Sequence, residues 1–252
     1  MPQVTELILE LGGERHLVGR TTGTPDPRLA GITSAGDPTR PSIETIIRLD
    51  PDIVVGWRRA ARAPLGAVTR GGIRTWLTES ETLADLWDNL DWVGRTLGRS
   101  AAADSLARRL RAGLEHVRAG ARGRPRPRVL VVVWDDPPTV AAPGTFLDEL
   151  LAVAGGRNVF GRAGGPWPRV SFETLIRRDP DAVFRLRQPG SDAALGDHPQ
   201  WRLVPAVAAG RVLGLDSERF GRAGVHVVEA AAELAAWLHP DIGHHPAPHP
   251  EE

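Results

Sequence analysis

The chain of 252 residues is long enough for one large domain or two small ones, each with its own apolar core. Its 41% hydrophobic and 25% charged residues are ordinary for a globular protein, and 31 basic residues balance 31 acidic ones, which argues against nucleic acid as a partner. No cysteine is present, so disulfides, thiolate metal sites, cysteine nucleophiles and lipid on a cysteine within residues 1–252 are excluded.

The segment Met1 to Leu7 has neither a basic leader nor an apolar run and does not read as a secretory signal. No stretch approaches the ~20 apolar residues needed to span a bilayer. Val4, Leu7, Ile8 and Leu11 fall at helical spacing, and Gly12-Gly13 stops that helix. Residues 16–19 predict a short strand, and residues 20–41 a loop rich in Gly, Pro and Thr. A helix is expected over 42–49 with Ser42 as its cap, and strands over 53–57 and 73–77.

From residue 80 to 120 the pattern changes. Leu83, Leu86, Leu90, Val93 and Leu97 follow the helical period, as do Leu106, Leu110, Leu114 and Val117. Gly94 and Gly98 leave open one long helix or two joined end to end. The Arg/Pro/Gly stretch 121–127 closes this region. A second α/β region follows, with strands expected over 129–134, 182–186 and 211–215, and helices over 145–154, 171–178 and 224–238. The alternation predicts mostly parallel sheets with helices on both faces. The end of the chain, 239–252, carries His239, His244, His245 and His249 among prolines and is expected to be disordered, without bound metal.

The sharpest feature is an internal repeat. Residues 42–54 read SIETIIRLDPDIV and residues 171–183 read SFETLIRRDPDAV, with nine of thirteen positions identical and no gap. A duplicated supersecondary unit explains this. Ser42 and Ser171 can cap a helix, and Glu44 and Glu173 fall in its first turn, where negative charge suits the dipole. Asp50-Pro51 and Asp179-Pro180 stop the helix, because a residue before proline avoids the α conformation. The chain therefore divides into an amino-terminal α/β lobe (1–79), an interlobe backbone helix (80–120), a carboxy-terminal α/β lobe (121–238) and a tail.

Two Rossmann-like lobes joined by a long helix resemble the class III, helical-backbone substrate-binding proteins of ABC importers. The segments Gly155-Gly156-Arg157-Asn158-Val159-Phe160 and Gly165-Pro166-Trp167-Pro168-Arg169-Val170-Ser171 resemble the vitamin B12-binding branch, as does Leu49-Asp50-Pro51-Asp52-Ile53-Val54 followed by Gly56-Trp57-Arg58. The resemblance implies a carrier, not an enzyme, that holds a corrinoid in the interlobe cleft and needs no cofactor. It places Trp57 and Trp167 on the flat macrocycle, and Glu218, Phe220 and Arg222 at its polar edges. It implies that Glu44 and Glu173 dock on arginines of the importer's membrane subunits, with the protein a monomer in the periplasm or at the cell surface.

The chain departs from that branch in several places. Gly23 replaces a tyrosine, the loop 34–41 has no tryptophan, and Thr139 stands where an aromatic is expected. Another corrinoid, a ferric siderophore or haem is therefore an alternative ligand. With no tyrosine, haem would need His198 or His226 as axial ligand. The helix start at Pro2-Gln3-Val4-Thr5-Glu6-Leu7 matches a point in the family that follows a leader and a first strand. An amino-terminal lobe lacking that strand, with a gap or bare sheet edge, is the expectation, and a cytoplasmic corrinoid- or metal-handling protein is the alternative to an exported one. An α/β transferase is a third reading, but no phosphate loop, dinucleotide fingerprint, nucleophile elbow or His-Glu-x-x-His motif supports it.

Overall fold

The computed structural model describes residues 1–22, 26–187 and 194–241. Gly23 and the histidines at 244, 245 and 249 lie outside these residues. Among them no helix is long and apolar enough to cross a membrane. The chain forms two compact units, Met1–Arg109 with Ala223–Val225, and Leu110–Arg222 with His226–Glu252.

The first unit begins with α1 (Pro2–Glu10), which buries Val4, Leu7 and Leu9. A two-residue hairpin, β1 (Gly36–Asp37) and β2 (Arg40–Pro41), lies inside the stretch expected to be loop. Then come α2 (Ile43–Leu49), β3 (Ile53–Trp57), α3 (Arg58–Arg70) and β4 (Arg74–Thr78). β3 and β4 pair in parallel from Ile53–Arg74 to Trp57–Thr78. Helix α3 was not anticipated, because Pro64 and Gly66 obscure its apolar face of Ala61, Leu65 and Val68. That face packs with Ile46 into one small core, closely enough that a Cβ on Gly56 would meet Leu65 at 2.5 Å.

Residues 16–19 do not form the expected strand. Glu14–His16 is a 3-10 turn, and Leu17 is extended without a strand partner among the described residues. A strand needs a neighbour to satisfy its backbone, so apolar pattern alone does not make one.

The expected helical region is two helices, α4 (Leu83–Thr96) and α5 (Ser100–Ala121). Thr82 and Asp85 form a capping box at the start of α4, and Gly98 at φ 67° breaks the rod. The boundary between the two units falls inside α5.

The second unit holds β5 (Arg128–Asp135), β6 (Pro138–Val140), α6 (Phe146–Val153), β7 (Arg157–Asn158), α7 (Phe172–Arg178), β8 (Ala182–Leu186), α8 (Pro205–Ala208), β9 (Val212–Leu215), α9 (Ser217–Phe220) and α10 (Val227–Leu238). Its sheet runs β6-β5-β8-β9, with β7 also on β5. All pairings are parallel except that of β6 with β5. Leu130, Val132 and Val183 join Leu175, Trp201 and Val204 in its core.

The repeat folds twice in the same way. Ser42 accepts a hydrogen bond from the Thr45 amide at 3.3 Å, and Ser171 accepts one from the Thr174 amide at 3.4 Å. Each helix ends on an aspartate in the left-handed region, Asp50 at φ 45° and Asp179 at φ 41°. The proline that follows bars another helical turn, and aspartate tolerates this conformation better than most residues. A parallel strand then starts in each copy.

His239 was grouped with the disordered tail, and the structure corrects this. It caps α10, is 6% exposed, and crowds Gly155, whose φ of 85° admits the close approach. Its Nε2 has no hydrogen-bond partner among the described residues, and burial pushes its pKa below the ordinary 6.5. The folded state thus binds fewer protons than the unfolded one as pH falls. Stability from this residue is present above pH 6.5 and is lost as pH drops through the lowered folded value. We expect the thermal midpoint to fall between about pH 7 and about pH 5, and His239→Phe to flatten that fall, as calorimetry can show. Ser42→Ala and Ser171→Ala should each cost about 1 kcal/mol in denaturant unfolding.

Candidate ligand-binding site

Parallel sheets bind ligands at the carboxyl ends of their strands, where helix amino termini and loops converge. In the first unit this edge is the end of β3 and β4. Trp57 closes β3, is half-buried, and donates from Nε1 to Glu79 Oε2 at 3.0 Å. Glu79 also lies 3.6 Å from Arg58, so the indole is held by a carboxylate that is itself paired. Behind it, Thr78 donates to the buried Asn89 at 2.6 Å, and Asn89 donates to the Glu79 carbonyl at 3.0 Å. Glu79 was not singled out in the sequence, because only the parallel register of β3 and β4 brings it to Trp57.

In the second unit the corresponding edge is the end of β5, β8 and β9. Arg185 donates from Nε to both oxygens of Asp135 at 3.1 Å, and both side chains are nearly buried, at 5% and 15% exposure. Trp201 donates to the Asp135 carbonyl at 3.2 Å. This paired charge fixes the edge of the sheet, because a buried ion keeps its partner or costs several kcal/mol. Next to it Trp134 is 50% exposed. Its indole donates to the Asp136 carbonyl at 2.9 Å, and its cross-strand partner is Thr139. Trp134 thus lies opposite Thr139, the position at which the resemblance implies an aromatic. The continuous apolar run of β5 gave no sign that Trp134 leaves the core.

Trp167 is half-buried in a loop laced to β6 and the residues after it. The amides of Val140 and Ala142 donate to the carbonyls of Pro168 and Pro166 at 3.1 and 2.9 Å, and Val170 donates back to Pro138 at 2.9 Å. Prolines supply only carbonyls here, so these bonds and one isolated bridge between Thr139 and Arg169 tie the loop to β6. The preceding Gly-Gly-Arg-Asn segment builds the fold: Asn158 donates to the Ala141 carbonyl at 2.9 Å and to Asp148 at 2.8 Å.

After β9, Asp216 caps α9 through the amides of Glu218 and Arg219. Glu218 is exposed and Arg222 half-exposed. Phe220 is fully buried, which corrects its assignment to the ligand surface: its ring anchors α9, because a one-turn helix needs a core residue to hold it down. Glu44 is 89% exposed, 3.8 Å from Arg48. Glu173 is exposed too, and a hydrogen bond with Ser171 lowers its pKa. His198 and His226 are exposed surface residues, and no group of three metal-binding side chains occurs among the described residues.

The fold and these edges define a ligand carrier of the two-unit α/β, helical-backbone class. The chain belongs to the periplasmic binding protein family, whose model matches residues 1–219. It is 25% identical over 236 residues to the vitamin B12-binding protein of Vibrio parahaemolyticus, covering 92% of this chain and 85% of that one. Among solved structures it is similar to the periplasmic haem-binding protein RhuT of Roseiflexus, with TM-score 0.83, 26% identity and 95% of each chain covered. The periplasmic vitamin B12-binding protein BtuF of Vibrio cholerae shares the fold at TM-score 0.78, with 21% identity and 94% of each chain covered. The protein is thus a substrate-binding protein of the ABC-transporter type and not an enzyme.

Arg185→Met should lower stability by about 3 kcal/mol in denaturant unfolding, by leaving the Asp135 carboxylate buried without its cation. The double change Arg185→Met with Asp135→Leu should recover much of that loss.

Proposed function

We propose that this protein captures a corrinoid, cobalamin or a close relative, and delivers it to the membrane subunits of an importer from the periplasm or cell surface. The observation that carries this reading is a partly exposed indole in each unit, Trp57 at the carboxyl end of β3 and Trp167 in a loop bonded to β6. Trp57 is held by Glu79 in the first unit, and Trp167 by its laced loop in the second. Rigid aromatic surfaces suit a flat macrocycle, since they give contact area at little entropic cost. Trp134 joins them as an exposed ring, and Glu218 and Arg222 are the polar contacts. Arg222 donates to amide carbonyls of the ligand. The vitamin B12-binding name of the Vibrio parahaemolyticus relative supports the choice of ligand.

Haem is the second reading, favoured by the Roseiflexus neighbour. In a chain without tyrosine it requires an exposed histidine such as His198 or His226 as axial ligand. Titration with cyanocobalamin, cobinamide, haemin and a hydroxamate siderophore separates the readings. A corrinoid is expected to quench tryptophan fluorescence with sub-micromolar affinity. Trp57→Ala and Trp167→Ala should each weaken it about tenfold or more, since burial of a ring contributes ~1.5–3 kcal/mol. Binding of haemin or the siderophore alone would reject the corrinoid.

Glu44 and Glu173, at matched places in the repeat, are the contacts to cationic side chains of the membrane subunits. Exposed pairs are individually weak, yet two of them set orientation. Reversing both charges should abolish importer-dependent uptake while ligand affinity stays within twofold, and a fall in affinity would contradict the docking role.

A further inference from the structure

Each copy of the repeat leaves a large apolar side chain in water at the same place. Ile47 is 55% exposed and Ile176 36% exposed, and they are two of the five large apolar side chains that stand exposed among the described residues. A lone exposed isoleucine needs no explanation, since folded surfaces carry many apolar atoms. Two at equivalent positions are a different matter, because the two copies sit on different cores.

The helices show that difference residue by residue. Ile43 and Ile46 of α2 join Ala61 and Leu65 in the first unit's core. At the equivalent places in α7, Phe172 and Leu175 join the core of the second unit, where the Phe172 ring meets Trp201 edge-on. Between residues 43–48 and 172–177 these inward pairs are the only two differences: Glu, Thr, Ile and Arg fill the other four places in both copies. The contacts of those four repeat as well. Arg48 donates to Thr45 Oγ1 at 3.3 Å, and Arg177 donates to Thr174 Oγ1 at 3.5 Å. Each arginine is thus turned back along its helix, and the isoleucine before it stays uncovered. Glu44 and Ile47 are three residues apart, as are Glu173 and Ile176, so each pair adjoins on its helix surface. Each unit therefore presents a carboxylate with an apolar side chain beside it, built in the same way.

We propose that Ile47 and Ile176 are the apolar half of the contact with the importer's membrane subunits, each packing into a hydrophobic recess beside the cationic side chain that meets Glu44 or Glu173. This rests on the docking role given above to the two glutamates and adds the source of its strength. An exposed ion pair alone is weak, because water and salt screen it. An isoleucine packed against the partner excludes water from the neighbouring pair and contributes its own buried area. The charge selects the partner and the isoleucine holds it. The same patch twice in one chain calls for the same recess twice in the partner, one for each unit.

The test measures association of the chain with its importer's membrane subunits in lipid nanodiscs by surface plasmon resonance. No ligand is added, so the outcome does not depend on the corrinoid reading. Ile47→Ser and Ile176→Ser are each expected to weaken association about fivefold, and the two together about twentyfold or more. Valine at both positions keeps most of the apolar surface and should stay within about threefold of the parent. Serine and isoleucine have similar helix propensities, so the thermal midpoint should move by less than about 2 °C. Paired serines that bind within twofold of the parent, while Glu44→Lys with Glu173→Lys abolishes binding, would overturn the apolar contact and leave the glutamate docking standing. If neither pair of changes alters association, or the parent does not associate, the docking role of these helices falls and the inference with it. Serine variants that unfold, or melt more than about 5 °C lower, would also overturn it, since the isoleucines would then serve the fold.

Discussion

A parallel strand must be delivered to its sheet at one end, in register, by a connection that stops turning at a fixed residue. In this protein the same device does so twice. A serine hydroxyl closes the first turn of α2 and of α7, and an aspartate in the left-handed conformation, locked by the proline behind it, ends each helix and releases the chain as a strand. The register of β3 on β4 and of β8 between β5 and β9 starts from these two corners. So does the exposure of Glu44 and Glu173, which stand at the outer turn of helices whose inner face, at Ile46 and Leu175, is buried.

Once the strands are placed, their carboxyl ends decide which side chains are available for binding. Trp57 is the last residue of β3, and Trp134 and Asp135 end β5. The polar groups around the indoles restrain them more than they bind: Glu79 orients Trp57, and the Arg185–Asp135 pair anchors the sheet edge beside Trp134. Rings held this way lose little freedom when a ligand arrives, which is the advantage of a preformed site.

The two units treat equivalent strands unequally. β8 is flanked and buried, whereas β3 has one strand neighbour among the described residues and borders a cavity. The difference shows how little of a strand's stability is local. Residues 17–19 have the composition of a strand but no strand neighbour among the described residues, and the backbone does not assume strand pairing alone.

The features legible in the amino-acid order were those that depend on near neighbours in the chain. Serine caps, the Asp-Pro corners and the apolar runs of β3, β5 and β8 all follow from local sterics and hydrogen bonding, and the repeat made two matched α/β regions readable. Tertiary structure decided the rest, because burial depends on what lies opposite. Phe220 looked like a ligand contact and is core; His239 looked like tail and is packed against Gly155; Trp134 looked like core and is exposed. Helix α3 forms in spite of Pro64 because its apolar face has β3 and Ile46 to pack on. A side chain's partners across a sheet or between a helix and a sheet are set by register and packing, and neither is written in any short stretch of residues.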